Sequence, residues 1–413
     1  MSKKEKRTVC VIGGGAAGFF AAITCAENNP DLQVIILEQN KTVLNKVKIS
    51  GGGRCNVTHA CFDPKELVTF YPRGQKELLG PFHKFQPGDT FDWFERRGVE
   101  LKIENDNRVF PVSDQSSTIM NCLIESANTA GVQIRTNTKI ITIAQNTSEH
   151  WMLKTSTGQN IFADVLVIAS GSSPAAWEML SGFHEIIDAV PSLFTFNIQH
   201  FIVNELQGVS LPNVEIQVEG HKLLTSGPLL ITHWGLSGPA ILKMSAWGAR
   251  LFHAMQYRFG ITVNWTGLSE KVVEMILKKQ VFNHPKKQIN NTILFDLPTR
   301  LWKRLMEYIK LEDAQNWSDL DDILLQKMVK VLCKCSLKVN GKSTFKEEFV
   351  TAGGIALEEV DFRTMASKKV KNLYFAGEVL DIDALTGGFN FQAAWTTGFL
   401  AGKGVGKSLS EEK

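Results

Sequence analysis

The 413-residue sequence predicts an α/β protein in which a parallel-sheet domain is split along the chain by a β-rich insertion and a helical stretch. Three observations carry this. Residues 9–18 read Val-Cys-Val-Ile-Gly-Gly-Gly-Ala-Ala-Gly, so a short apolar strand runs straight into Gly13-x-Gly15-x-x-Gly18. A second apolar strand at 33–37 ends at Glu38, twenty residues after the last of those glycines. Buried-strand patterning fades near residue 191 and returns near 349, which puts pieces of the first domain at both ends of the chain.

Each part of the first unit has a physical task. Gly13 permits a tight turn, Gly15 lets backbone approach a pyrophosphate, and Gly18 lets helix and strand pack closely. The helix opening at Ala16 and Ala17 presents N–H groups and partial positive charge to phosphates. Glu38, followed by Gln39, can accept hydrogen bonds from ribose hydroxyls, and its charge repels a 2′-phosphate. A lone glycine motif is weak evidence. Strand before, helix after and acid at the right distance together make a Rossmann-like dinucleotide fingerprint.

Further along, residues 48–58 read KISGGGRCNVT. Helices are expected at 90–97 and 117–130, with a short extended element at 108–113. Strands follow at 133–135, 138–144 and 151–155, the last turning through Thr157-Gly158 into 160–163. A continuous apolar strand at 164–169 then ends in Ser170-Gly171, as a buried parallel strand does. Antiparallel strands are expected at 194–198 and 214–218. Residues 231–245 read as strand, tight turn and helix, with Pro239 in the first helical turn. Residues 267–334 are lysine-rich and helix-patterned, most simply a solvated helical surface. A strand at 373–375 leads to Gly377-Glu378, and a helix begins near Asn390 and continues to about Gly402. The domains expected are therefore 1–190 with 346–413, a β-rich insertion at 191–266 and 335–345, and a helical subdomain at 267–334.

Composition narrows the class. A chain this long exceeds one ordinary core, and 44% hydrophobic with 21% charged residues fits a globular protein. A net charge of +3 gives no reason to expect a nucleic-acid partner. Seven scattered cysteines suggest reduced thiols and a cytoplasmic location. Lysines at 3, 4 and 6 precede an uncharged run, but that run holds the phosphate loop, so it reads as strand and helix and not as a leader. No stretch is long and apolar enough to span a bilayer.

Four stretches read as backbone-rich ligand contacts. The fingerprint is the first. The second is Lys48, Ser50, Gly52, Gly53, Arg54 and Asn56, where glycines admit a ligand and Arg54 can neutralise a pyrophosphate. Ala169, Ser170 and Gly171 form the third. In the fourth, Gly377 and Glu378 end a strand, and Gly388, Phe389 and Asn390 open a helix whose N-terminus can stabilise negative charge on a ring.

The set VIGGGAAG, SGGGRCNVT, RVFPVSD, THWGLSGPAIL, TAGGIALEEVDFRTMASK and LYFAGEVLDIDALTGGFNFQAAW closely resembles the bacterial flavoprotein family of YhiN/BaiN type, over nearly the whole chain. The resemblance implies non-covalent FAD in a Rossmann-like domain interrupted by a β-barrel-like domain and a small helical domain. Gly13, Gly15, Gly18 and Glu38 would hold the ADP half. Arg54 and Asn56 would lie near the pyrophosphate or flavin, Glu378 at the ribityl chain, and Gly388–Asn390 at the isoalloxazine. It further implies an oxidoreductase taking hydride from NAD(P)H as a transient co-substrate and passing it to a small-molecule electron acceptor, with an activated C=C bond as one candidate. Two departures stand out: His59 follows Thr58 where the family often has asparagine, and Ala366 stands where glutamate is common.

Other residues are better explained by structure. Cys55 lacks the close partner that a flavin disulfide reductase needs, so a buried thiol is expected. Cys333 and Cys335 read as one face of a strand, with no zinc-spaced companions. His233 reads as a loop histidine or a proton donor. No catalytic residue and no metal site is assigned. Two other classes stay open: an RNA-associated flavoprotein, which requires a basic groove, and a flavin-bound sensor without turnover. Oligomeric state is not legible.

Overall fold

The computed structural model describes residues 6–343 and 350–411, and the chain forms two compact units. One joins Met1–Val190 to Val350–Lys413, and the other is Pro191–Phe349. The expected return to the first domain at 346 lies outside the described residues.

The first unit is organised by β1 (Thr8–Ile12), α1 (Ala16–Asn28), β2 (Gln33–Leu37), β3 (Gln133–Arg135), β4 (Val165–Ile168), β5 (Leu373–Phe375) and α2 (Phe389–Glu411). The strands form a parallel sheet in the order β3-β2-β1-β4-β5, extended by antiparallel Ala366–Ser367 and Val360–Asp361. Val9 faces Val34 on one side and Val165 on the other. Residues 9–12, 34–37 and 165–168 are all buried, which is why these strands read as unbroken apolar runs.

Helix α2 lies directly on α1. A Cβ at Gly398 would sit 2.5 Å from the Ala17 carbonyl oxygen, and one at Gly402 would sit 2.5 Å from that of Ala21. The Gly-x-x-x-Gly spacing at 398–402 thus lets two backbones touch, and the sequence reading did not single it out. It fixes the fingerprint helix from the far end of the chain. The helix also runs nine residues beyond the expected Gly402.

The unit also holds a two-stranded sheet of Ile186–Ser192 with Val350–Ile355 and two small antiparallel sheets of three strands each. One is Ile140–Gln145, Trp151–Thr155 and Asn160–Ala163. The other pairs Arg108–Pro111 with Thr58–His59 and Leu101–Ile103, and so backs the glycine-rich loop.

The second unit is built on a seven-stranded antiparallel sheet whose central hairpin is Ser210–Val218 and Leu224–Ile231. Alternate residues Val214, Ile216 and Val218 point inward, as period-two patterning requires. The helices at Glu270–Asn283, Thr299–Tyr308 and Asp322–Cys333 share one core with these strands, around Trp265, Trp302 and Trp317. Pro239 opens the Pro239–Trp247 helix as its first residue. The cysteine pair is a correction. Cys333 ends a helix and Cys335 begins the Cys335–Val339 strand, so the two do not share a strand face.

Candidate functional site

The carboxyl ends of β1, β2, β4 and β5 gather the fingerprint residues. Gly13 has φ +112, and a Cβ there would meet the Ala169 carbonyl oxygen at 2.3 Å. A Cβ on Gly18 would lie 2.0 Å from the Gly13 oxygen, so the turn and the helix are in backbone contact. Gly15 differs: it caps α1 with no side-chain hydrogen bond, and nothing lies within 4 Å of its Cβ position. Ala16 and Ala17 follow, and the first turn of α1 carries no acid. Open space therefore faces an uncapped helix N-terminus, the arrangement that receives an anion.

Glu38 is buried beside this turn. Its carboxylate accepts from the Gly14 N–H at 2.8 Å, the Asn40 N–H at 2.9 Å and the Asn40 side chain at 2.6 Å. Asn40 was not anticipated, whereas neighbouring Gln39 is simply exposed.

The glycine-rich loop makes a second open surface. Gly51, Gly52 and Gly53 all have positive φ, and the Cβ positions of Gly52 and Gly53 meet nothing within 4 Å. Ser50 closes the preceding turn through its hydroxyl to the Val47 carbonyl at 2.8 Å. Lys48 is exposed, while its carbonyl accepts from Ser116 at 2.7 Å. Arg54 stacks on Phe110 at 3.9 Å and pairs with Glu104 at 2.6 Å. Asp114 also faces it at 3.4 Å, and Lys102, bonded to that carboxyl, holds Asp114 below the usual carboxylate range. Asn56 joins three backbone segments: its amide nitrogen donates to the Thr58 and Val109 carbonyls, and its oxygen accepts from the Gly388 N–H at 3.0 Å.

Glu378 and Gly171 meet beside β4. The Glu378 carboxylate pairs with Lys46 at 2.6 Å, and both groups lie next to the open side of Gly171. Gly377 donates to Thr397 at 2.9 Å and abuts Ala17, while Ser170 is half-buried in the same turn. Lys46 escaped the sequence reading because a lone surface lysine carries no spacing signal.

Phe389 and Asn390 turn away from open space. Phe389 is buried, stacked on Phe70 at 4.2 Å and on His59 at 4.5 Å. Its carbonyl accepts from Tyr71 at 2.6 Å. Asn390 brackets Ala384, accepting from its N–H at 3.0 Å and donating to its carbonyl at 3.1 Å. Gly388, with φ +96, would press a Cβ to 2.4 Å from the Thr58 carbonyl oxygen. Beneath it, buried Gln392 accepts from Thr58 at 2.6 Å and Thr90 at 2.9 Å and donates to Thr396 at 3.1 Å. The loop before α2 is tied down further by the buried pair of Asp383 with Arg73.

Burial sets the reactivity of the nearby titratable groups. Cys55 is wholly buried and its thiol is pushed up to about 12, so it is no nucleophile at neutral pH. Desolvation lowers His59 and His184, and each has an Nδ1 without a hydrogen-bond partner among the described residues. The unfolded chain takes up protons at these sites first, so their contribution is intact above about pH 6.5 and is lost as the pH falls through the depressed native values. Urea midpoints measured at falling pH should therefore drop below that point, and His184→Gln should flatten the drop.

Among the described residues, no group of side chains is arranged to hold a metal, and no helix is long and apolar enough to cross a membrane.

The family model described as HI0933-like protein Rossmann domain matches residues 7–404. A ribosomal RNA dihydrouridine synthase of Escherichia coli (strain K12) is 28% identical over 405 residues, covering 95% of this chain and 96% of that protein. A 3-dehydro-bile acid delta(4,6)-reductase of Clostridium scindens is 26% identical over 405 residues, covering 95% and 97%. The solved structure of a 3-ketosteroid-delta4-(5alpha)-dehydrogenase from Rhodococcus jostii RHA1 covers 98% of each chain at 14% identity, with a TM-score of 0.50, which speaks to the fold.

Proposed function

Because this chain belongs to the HI0933-like Rossmann family, we propose that it is an FAD-dependent oxidoreductase that reduces a C=C bond conjugated to a carbonyl, with NAD(P)H as the donor. The observation that carries the cofactor is the pair of open cradles at Gly15 and at Gly52-Gly53, the first beside an uncapped helix N-terminus. Bound FAD would supply two-electron hydride chemistry, linking oxidation of the nicotinamide to reduction of the electron-poor carbon, with a proton completing the reduction at the neighbouring carbon.

The chain's own residues bind and orient. The α1 N-terminus and Gly15 receive the pyrophosphate, and Lys46 adds positive charge near it. Glu38, already held by Gly14 and Asn40, accepts from the adenosine ribose. Glu378 serves the ribityl hydroxyls. Asn56 and Gln392 act by positioning, fixing residues 56–58 against the Gly388 turn, and the Asp383–Arg73 pair ties the segment before that turn to residues 70–73. Arg54, stacked and paired with Glu104, holds that loop's shape and contributes charge to its surroundings. One fingerprint is present, so the nicotinamide docks transiently.

The bond type comes from what two relatives have in common. Forming dihydrouridine saturates a ring C=C next to a carbonyl, and so does reducing a 3-dehydro-bile acid at its conjugated bonds. The acceptor itself has two readings. A small cyclic enone is one. A uracil ring in RNA is the other, favoured by the distribution of charge: residues 191–349 carry nineteen Lys and Arg against fourteen Asp and Glu, and the rest carry twenty-six against twenty-eight. The whole-chain value of +3 averages over this difference. The test is to reduce the holoprotein anaerobically and add either a cyclic enone or protein-free ribosomal RNA. Rapid return of the flavin bands, with two hydrogens gained by one acceptor, supports the proposal. Reoxidation by oxygen alone counts against it.

A further inference from the structure

We propose that the exposed face of the Glu270–Asn283 helix in the second unit is an RNA-docking surface, a proposal that rests on the RNA-acceptor reading above. Successive helical residues turn by about 100°. Lys271, Val272, Met275, Lys278, Lys279 and Phe282 then fall within an arc of about 120°, opposite buried Val273 and Leu277. Phe282 is 86% exposed and Met275 63%. Lysine alone on this face is what solvation calls for; a nearly bare phenylalanine and methionine between lysines is not.

The charge is available to a partner. Lys278 is paired with Glu274 at 2.7 Å. Lys271, Lys279, Lys286 and Lys287 are exposed and form no ion pair among the described residues. From 271 to 310 the chain carries nine Lys and Arg against three Asp and Glu. Phosphates meet such lysines with release of counterions. An exposed ring offers a stacking platform for an unpaired base, which a basic surface without aromatics lacks. The two features together fit a single-stranded or looped RNA. The exposed position of the ring on a helix with only two fully buried residues makes Phe282 a stacking contact and not a piece of core.

The test uses the full-length holoprotein and a fluorescein-labelled RNA hairpin with a uridine-rich loop, followed by anisotropy across a salt series. The expected result is binding that weakens with salt. Lys271→Glu with Lys279→Glu should weaken it at least tenfold and lower the salt slope by about one per lysine lost. Phe282→Ala should weaken binding about fivefold or more with the slope unchanged. Flavin content and bleaching by NAD(P)H should match the parent in each variant, since the face lies on the second unit. If the variants bind like the parent, this surface is wrong while RNA as the acceptor survives. If RNA binds through this face and gains no hydrogens, the surface stands and the acceptor reading fails. Binding to phosphatidylglycerol vesicles in place of RNA overturns both, and assigns the face to an anionic membrane surface.

Discussion

Replacing Asp383 by alanine should lower the stability of the first unit by about 3–5 kcal/mol, the range for breaking a buried ion pair on one side. The Asp383 side chain is 0% exposed and that of Arg73 12%, and the two form a two-point contact. Alanine removes the carboxylate opposite a guanidinium that is largely shielded from solvent, and Arg remains charged at any accessible pH. The damage reaches the site because the same two loops are joined elsewhere: Leu385 donates to the Phe70 carbonyl at 3.0 Å, and Tyr71 donates to that of Phe389. Urea unfolding should show a lower midpoint with the slope kept, together with weaker retention of flavin. The double variant Arg73→Met with Asp383→Leu should recover most of the stability, since it removes both charges and keeps the volume. A loss below about 1 kcal/mol in the single variant would mean that solvent reaches the pair.

Alanine at Gly18 and alanine at Gly15 should fail in different ways, three residues apart on one helix. At Gly18 the new methyl would stand 2.0 Å from the Gly13 carbonyl oxygen, and backbone cannot swing aside as a side chain does. The helix must shift off the turn, at a cost of about 1–3 kcal/mol or more, and the phosphate site is lost with it. At Gly15 the methyl meets nothing, and φ −97 suits any residue. Stability should change by less than about 1 kcal/mol there, the scale of a cap substitution. The methyl nevertheless occupies the space assigned to the pyrophosphate, so FAD affinity should fall at least tenfold. Isothermal titration of FAD into the apoprotein, alongside urea unfolding, separates the two. Equal FAD affinity in Gly15→Ala and the parent would remove that assignment.

The parallel sheet was legible because its strands are buried on both faces, leaving unbroken apolar runs at 9–12, 34–37 and 165–168. Strands at 151–155, 160–163 and 373–375 stand where the sequence places them. What escaped depends on contacts between distant segments. Val350–Ile355 is a strand although it contains Gly353 and Gly354, residues that ordinarily argue against one. Gly353 is needed there because a Cβ would sit 2.6 Å from the Ala189 Cα. The chain between Cys333 and Cys335 switches from helix to strand at Lys334, and two-residue spacing gives no warning of it.

At the site, the glycines announced themselves through spacing, and the polar residues that hold the loops did not. Lys46 beside Glu378 spans 332 positions of sequence, and Gln392 with Thr58 spans 334. Arg54 and Asn56 read from the sequence as ligand contacts, and the structure also gives them protein partners: Arg54 bonds Glu104 and Asp114 through one terminal nitrogen, and Asn56 bridges three backbone segments. A residue type suited to phosphate is equally suited to a carboxylate, and only the fold decides which it faces. His59 shows the same limit. Its ring is stacked on Phe389, a contact that no local pattern encodes.

On the proposed reading, the open glycine cradles hold FAD and the bound ring is reduced by a nicotinamide. The most direct measurement is the visible spectrum of the purified protein, followed anaerobically as NADH and then NADPH is added, with the released cofactor identified after denaturation. Flavin bands, recovery of FAD and rapid bleaching by one of the two donors are expected. A protein that shows no flavin bands, even after incubation with added FAD, would contradict that reading.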